Sequence, residues 1–398
     1  MNTLQLLKKY FGYDSFRKGQ DIIINNLINK KDCLAIMPTG AGKSICYQIP
    51  ALTFSGITIV ISPLISLMKD QVDSLISKNI PAIFINSTLS KNEYNLILNN
   101  IKLSKYKIIY ISPERLQIEK FIDFILKINV SMIVVDEAHC VSQWGHNFRK
   151  SYLSISKAVS LFVKRPIIAA FTATATDNVK QDIIKILNLK NPFILTNGFD
   201  RPNLSFKVVT PLNKKDYILE YLQIHKNDCG IIYCLTKKDV DILYCYFRSF
   251  YFNVSKYHGE MNQKQRMQNQ NDFISGKTNI IIATNAFGMG IDKPNIRYVI
   301  HYNMSKDLEG YYQEAGRAGR DQKKSECILL FSNSDIMINK FLIESGNKYS
   351  NHIIEYQKLN QITSYCKTKK CLRRYILEYF GEKPDFINCN NCSNCNLL

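Results

Sequence analysis

Short apolar runs recur along this chain, separated by segments with helical patterning, and that alternation constrains the fold more than any other feature. Cys33–Met37, Ile57–Ile61, Ala82–Ile85, Lys107–Ile111, Met132–Val135 and Ile167–Phe171 read as strands, with helices starting near Lys43, Leu64, Ser90 and Pro113. Such alternation predicts an α/β fold, a parallel sheet with helices on both faces. The pattern pauses at Asn197-Gly-Phe-Asp-Arg-Pro-Asn203, a turn-rich stretch that reads as a linker. It then restarts with Gly230–Cys234, Val254–Tyr257, Asn279–Ala283, Arg297–His301 and Cys327–Phe331, and with helices near Lys237, Asn262 and Leu308. From about Asn333 the alternation stops and helices lead to a cysteine-rich end. The expected organisation is two tandem α/β units, 1–197 and 198–332, followed by a small helical module, 333–398. Open parallel sheets take ligands at the carboxyl ends of their strands, so the site is expected there, in a cleft between the two units.

A length of 398 residues suits two or three domains. Hydrophobic content of 46% and charged content of 21% fit a soluble globular protein. The formal net charge of +19 favours polyanionic partners, nucleic acid before membrane, although a general bias toward Lys, Asn and Ile gives the same sum. Met1–Tyr10 is a short amphipathic stretch and not a signal peptide, and no apolar run approaches the ~18 residues that a membrane span needs. The expected setting is a reducing one: cytoplasmic and nucleoid-associated in a bacterium, nuclear in a eukaryote, not secreted. Of twelve cysteines, Cys33, Cys46, Cys140, Cys229, Cys234, Cys245, Cys327 and Cys366 are scattered and mostly read as small core residues.

Two segments carry chemistry. Met37-Pro-Thr39-Gly40-Ala41-Gly42-Lys43-Ser44 follows a strand and opens a helix. Glycines there let backbone N–H groups turn toward phosphate, and the helix N-terminus adds partial positive charge. Lys43 would reach the β- and γ-phosphates and Ser44 would hold magnesium. The usual pattern has glycine where this chain has Met37, and the alternative is an ordinary glycine turn. Val134-Val135-Asp136-Glu137-Ala138-His139 ends an apolar strand in two carboxylates. A magnesium ion held by Asp136 would compensate the charge, and Glu137 is placed to polarise the attacking water. Gly316-Arg317-Ala318-Gly319-Arg320 follows a helix, and an arginine there could stabilise charge on a transferring phosphoryl group, Arg320 before Arg317. A basic surface turn is the alternative.

With these motifs in this order, the chain resembles a superfamily 2 helicase, and within that group the RecQ family of DNA helicases. Phe11-Gly-Tyr13-Asp-Ser-Phe16-Arg17-Lys-Gly-Gln20 resembles the family's adenine-recognition segment, which implies that Gln20 bonds the base, Arg17 assists and Tyr13 stacks. Ser62-Pro63-Leu64-Ile65-Ser66-Leu67-Met68 resembles the motif that contacts the DNA backbone, and Phe171-Thr172-Ala173-Thr174-Ala175 the one coupling hydrolysis to domain movement. Ala283-Thr284 through Gly288, Gly290, Asp292 and Pro294, together with Tyr311-Tyr312-Gln313-Glu314, resembles motifs of the second domain, which implies roles for Thr284 at nucleic acid and Gln313 in catalysis. Cys140-Val-Ser142-Gln143-Trp144-Gly145-His146-Asn147-Phe148-Arg149 resembles the aromatic-rich loop that senses single-stranded DNA. Trp144 and Phe148 could stack on bases and Arg149 meet phosphate, a core tryptophan being the alternative. Two departures stand out: Asn147 where the family usually has Asp, and Tyr257-His258-Gly259-Glu260 in place of a more usual His-Ala-Gly.

Cys371 and Cys389-Asn-Asn-Cys392-Ser-Asn-Cys395 have the spacing of a four-thiolate zinc site with no open position, hence structural; a disulfide pair or redox thiols are the alternatives. The cluster also resembles the RecQ zinc module. The resemblance covers about Phe11 to Cys395 and implies two RecA-like domains, cofactors ATP, Mg2+ and Zn2+, and 3′-to-5′ movement on single-stranded DNA and single-strand/duplex junctions; a monomer is expected. Winged-helix and HRDC-type domains that such proteins commonly carry are expected to be absent here. An RNA helicase and an ATP-switched binding or annealing module remain the rival readings.

Overall fold

The computed structural model describes residues 2–38, 40–86, 89–145, 148–288, 293–345 and 351–396. The expectations attached to Thr39, His146, Asn147, Gly290 and Asp292 fall outside the described residues. Two compact units divide the chain, Met1–Phe199 and Asp200–Leu398.

In the first unit, strands β1 (Cys33–Ile36), β2 (Ile57–Ile61), β3 (Ala82–Ile85), β4 (Ile108–Ile111), β5 (Val130–Val135), β6 (Ile167–Thr172) and β7 (Phe193–Thr196) form one sheet in the order β3-β4-β2-β5-β6-β1-β7. Their pairings are all parallel. Every residue of β1, β2 and β4 is buried. A parallel sheet covered on both faces demands this, and so these runs are continuously apolar instead of alternating. Ile23 and Leu27 of the helix Gln20–Ile28, and Cys46, Tyr47 and Ala51 of the helix Lys43–Thr53, pack with Ala35, Val60, Tyr110, Val134 and Phe171 from the sheet. Each fully buried Ile, Leu, Val or Phe side chain among them contributes about 1.5–3 kcal/mol. Asp32 pins the amino-terminal end of this sheet. It accepts two bonds from the Arg165 guanidinium, at 3.0 and 2.7 Å, and one each from the backbone N–H groups of Ile168 and Lys190.

In the second unit, β8 (Leu204–Val209), β9 (Cys229–Tyr233), β10 (Val254–Tyr257), β11 (Ile280–Ala283), β12 (Ile296–His301) and β13 (Ser325–Leu330) form a second parallel sheet, in the order β10-β11-β9-β12-β13-β8. Gly230 in β9 lets the Tyr298 ring of β12 lie against the backbone; a Cβ there would meet the ring at 1.9 Å. After β13 come the helices Asn333–Glu344, His352–Lys367 and Leu372–Tyr379.

Sequence patterning did not anticipate β7 and β8, the strands flanking the turn-rich segment. Both lie at sheet edges, and their burial alternates or fades along their length, so neither shows the continuous apolar run of a central strand. The helices Gln20–Ile28, Asp177–Ile186 and Lys214–Ile224 were also not anticipated. Among the described residues no helix is long and apolar enough to cross a membrane.

Candidate functional site

Three neighbouring strands, β5, β6 and β1, deliver the candidate nucleotide residues at their carboxyl ends. Beyond β1 the chain continues the ladder, with Met37 N–H bonded to Thr172 O at 3.0 Å. Met37 is fully buried in the core beside Cys46, which is where the departure from glycine is accommodated. The chain then turns through Gly40 and Gly42, at φ +85° and +81°, into the helix that begins at Lys43. This left-handed backbone suits glycine, and a Cβ on Gly42 would lie 2.5 Å from Gln20 Nε2.

Gln20 and Arg17 hold this loop directly. Gln20 Nε2 donates to Ala41 O at 3.2 Å and Gly42 O at 3.0 Å, its Oε1 accepts from Arg17 N–H, and Arg17 Nη1 donates to Gly40 O at 2.6 Å. Gln20 is buried, whereas Tyr13 is exposed. Lys43 Nζ donates to Met37 O at 3.3 Å.

At the end of β5, Asp136 N–H bonds Ile61 O, and Asp136 Oδ1 accepts from Glu137 N–H at 3.0 Å. Desolvation first, then the charge of Glu137, pushes the Asp136 carboxyl up to about 7, with Lys43 opposing. Glu137 adopts φ +49°, ψ +47°, a left-handed conformation that costs a residue with a Cβ roughly 1–2 kcal/mol. Its Oε2 is buried, accepts no hydrogen bond, and lies 3.4 Å from His139 Nδ1. A half-buried acid beside an orphaned carboxylate oxygen, with Lys43 close enough to act on the first, fits a magnesium–triphosphate group, whose cation would satisfy both. Ser44 stands in the first turn of the helix, next to Lys43.

His139 ties this segment to the next motif. Its Nδ1 is 2.9 Å from Thr172 Oγ1. The Thr172 hydroxyl spends its single proton on Thr174 O, at 2.9 Å, so His139 Nδ1 carries the hydrogen in this contact.

The expected DNA-sensing loop follows immediately, and its residues divide in two. Gln143 is exposed, and Trp144, Phe148 and Arg149 are partly exposed, so Trp144 is not a core tryptophan. Ser142 is fully buried: its Oγ donates to Asp182 Oδ2 at 2.5 Å and accepts from Trp144 N–H at 3.1 Å, which braces the loop. Ser62 is buried as well, while Pro63 is partly exposed and receives Arg149 Nη1 on its carbonyl at 3.0 Å. The hydroxyls of Ser62 and Ser142 are thus both buried in this structure. Thr284, in the second unit, is likewise buried.

The second unit holds the expected arginines. Arg317 is buried and its Nη1 donates to Gly288 O. Arg320 is partly exposed at the end of the same turn, and Gln313 is buried in the preceding helix, Leu308–Ala315. Sequence reading missed what holds this turn. Arg201, within the stretch read as linker, is buried and donates to Gly316 O, Ala318 O and Gly319 O at 3.3, 3.1 and 2.9 Å, and Asn203 Nδ2 donates to Gly319 O at 2.9 Å. No local pattern marks Arg201, whose partners are backbone carbonyls distant in the chain.

At the C-terminal end, the sulfurs of Cys371, Cys389, Cys392 and Cys395 all lie within 4.8 Å of one another. The Cys389–Cys395 and Cys392–Cys371 pairs are 4.0 Å apart, far outside the S–S bond length and near the edge of a zinc tetrahedron. Four soft donors facing one point fit zinc. The tail also docks on β8, through Ser393 N–H to Phe206 O at 3.0 Å and Val208 N–H to Ser393 Oγ at 3.3 Å, and so covers a sheet edge.

Comparison with known proteins agrees with this geometry. Residues 17–182 match the DEAD/DEAH box helicase family, 213–322 the helicase conserved C-terminal domain, and 333–396 the RecQ zinc-binding family. The ATP-dependent DNA helicase RecQ of Bacillus subtilis is 49% identical over 392 residues, covering 98% of this chain and 66% of that protein. The RecQ helicase of Pasteurella multocida is 40% identical, covering 99% of this chain and 62% of its own. A putative ATP-dependent RNA helicase of Acanthamoeba polyphaga mimivirus is 40% identical, covering 98% and 71%. The chain thus spans about two thirds of the length of the bacterial relatives it matches. Among solved structures, Saccharomyces cerevisiae Dbp5 bound to RNA aligns with a TM-score of 0.68 at 20% identity over 92% of each chain, a likeness of fold. With a four-cysteine cluster following two parallel-sheet helicase units and these relatives along its whole length, the chain belongs to the RecQ helicase family.

Proposed function

We propose that this chain is an ATP- and magnesium-dependent DNA helicase that moves 3′ to 5′ along single-stranded DNA, in repair, recombination or replication. The observation that carries the reading is the placement of Lys43, Asp136 and Glu137 beyond the carboxyl ends of β1 and β5, on either side of β6, with Glu137 Oε2 buried and unbonded. The loop from Gly40 to Gly42 and Lys43 would bind the phosphates, Ser44 and Asp136 would hold the metal, and Tyr13, Arg17 and Gln20 would meet the base. Bound magnesium would supply charge neutralisation at the phosphates. Glu137 would polarise the attacking water. Gln313, Arg317 and Arg320 of the second unit act on the developing negative charge, Arg320 as the first choice.

Gln143, Trp144, Phe148 and Arg149 would face the strand, by stacking and phosphate contact, with Pro63 beside them. Ser142 and Ser62 would position that surface. The His139–Thr172 contact would report nucleotide state from the carboxylates to the Thr172–Thr174 segment. The four cysteines would hold zinc as a structural tie. A nucleoid or nuclear setting follows from such a substrate.

ATP hydrolysis measured with no nucleic acid, with single-stranded DNA and with single-stranded RNA tests this reading in wild type and Lys43→Ala. The expected result is strong stimulation by DNA that the variant loses. Greater stimulation by RNA would favour the RNA-helicase reading, and DNA-dependent activity surviving Lys43→Ala would favour an ATP-switched binding module.

A further inference from the structure

The segment Asp200-Arg201-Pro202-Asn203 is gripped from two sides within the second unit. On one side stands the cysteine module. Arg373, two residues after Cys371, makes a paired contact with Asp200, with Nε to Oδ1 at 2.6 Å and Nη2 to Oδ2. Its guanidinium also stacks 5.0 Å from the Phe386 ring, which fixes its direction. Asn391, between Cys389 and Cys392, donates through Nδ2 to Pro202 O and Leu204 O, both at 3.2 Å. On the other side stands the turn that carries Arg317 and Arg320. Arg201 bonds the carbonyls of Gly316, Ala318 and Gly319, and Asn203 bonds Gly319 and Lys323. The close approach is built in: Gly319 has φ +56°, and a Cβ there would meet Asn203 Nδ2 at 2.4 Å.

We infer that residues 200–203 form a bracket through which the cysteine module fixes the arginine-bearing turn, with Arg201 and the Asp200–Arg373 pair as positioning residues. The reason is geometric. A guanidinium stabilises a phosphoryl transition state only if its donors are already aimed, and small misplacements of such groups cost one to two orders of magnitude in rate. Three backbone carbonyls held by one buried guanidinium make the turn's path depend on Arg201. Arg201 in turn follows Asp200, whose carboxylate is bound to the helix that Cys371 caps. Paired Arg–carboxylate contacts specify orientation as well as attraction, so this link transmits position. Bound zinc would hold Cys371 and Cys389–Cys395 together, and thereby Arg373 and Asn391.

The inference rests on the arginine role proposed above, and the experiment separates the two. Asp200→Asn, Arg373→Gln, the charge-exchanged pair Asp200→Arg with Arg373→Asp, and Arg320→Ala are compared in the full chain. Readouts are kcat and KM for DNA-stimulated ATP hydrolysis, zinc per chain, and hydrogen–deuterium exchange of the peptide spanning 316–320. Each single bracket variant is expected to lower kcat roughly tenfold, with KM for ATP and zinc content unchanged, and to speed exchange at 316–320; the charge-exchanged pair recovers both. Unchanged kcat and unchanged exchange in singles that keep their zinc would overturn the bracket, as would a pair that keeps zinc but recovers neither readout. If Arg320→Ala leaves kcat intact, the arginine role fails; faster exchange at 316–320 in the singles would still uphold the mechanical link, and unchanged exchange would overturn it too.

Discussion

Asp136, the proposed magnesium ligand, stands where burial opposes its charge. Its carboxyl sits at a buried strand end beside Glu137, and desolvation raises it toward neutrality. In the metal-free protein the native chain therefore keeps a proton there that the unfolded chain has released. The stabilisation from this retained proton is full below the ordinary carboxylate value and is lost as pH rises through about 7. Asp136→Asn removes the titration. Its melting temperature without magnesium is expected to exceed that of wild type by more at about pH 8 than at about pH 5. Equal shifts at the two pH values would mean that Asp136 is not desolvated as the geometry indicates. Trp144 makes a second case at this scale: it is partly exposed on a loop braced by Ser142, and the proposed function has it stack on a base. Trp144→Ala should leave ATP binding intact while uncoupling DNA stimulation from hydrolysis, and undiminished stimulation would remove Trp144 from the interface. Lys43, Asp136 and Glu137 stood out in the sequence as candidates because phosphate and metal chemistry allow few residue types. Arg201 did not, because its partners are backbone carbonyls more than a hundred positions away, which leave no pattern in the chain.

Elements were legible where both faces are buried. β1, β2, β4, β9 and β11 are buried at every position, so their apolar runs announced them. β7 is half exposed along its length and β8 fades toward its end, and a turn-rich segment joins them. Edge position stripped them of the signal and turn residues outweighed what remained. The same reasoning locates stability at Asp32, whose four bonds join the start of β1 to β6 and to the turn before β7. Asp32→Ala leaves two backbone donors and a guanidinium without their acceptor, and is expected to cost about 3–5 kcal/mol. Chemical denaturation followed by a probe in the first unit measures this; a loss under about 1 kcal/mol would show that water replaces the carboxylate readily.

At the scale of the molecule, the two units have separate sheets and separate dependencies. The first draws its order from a large apolar core. The second has its own core in β9 to β13, yet Cys371 caps its last helix, the other three cysteines lie in the tail beyond it, and that tail covers β8. A segment with so little core of its own takes much of its folding energy from metal binding. Zinc removal by a chelator should therefore act unevenly. Hydrogen exchange is expected to rise in β8, in the helix Leu372–Tyr379 and in the tail, with protection in β1, β5 and β6 retained. The thermal transition of the second unit should fall while that of the first holds. Uniform loss of protection would show that the units unfold as one, and no change would show that the cysteines are not bridged by metal. The uneven outcome follows from where each unit keeps its apolar surface. A sheet buried on both faces is stable without help, whereas an edge strand covered by a short cysteine tail is only as secure as the bonds that hold that tail in place.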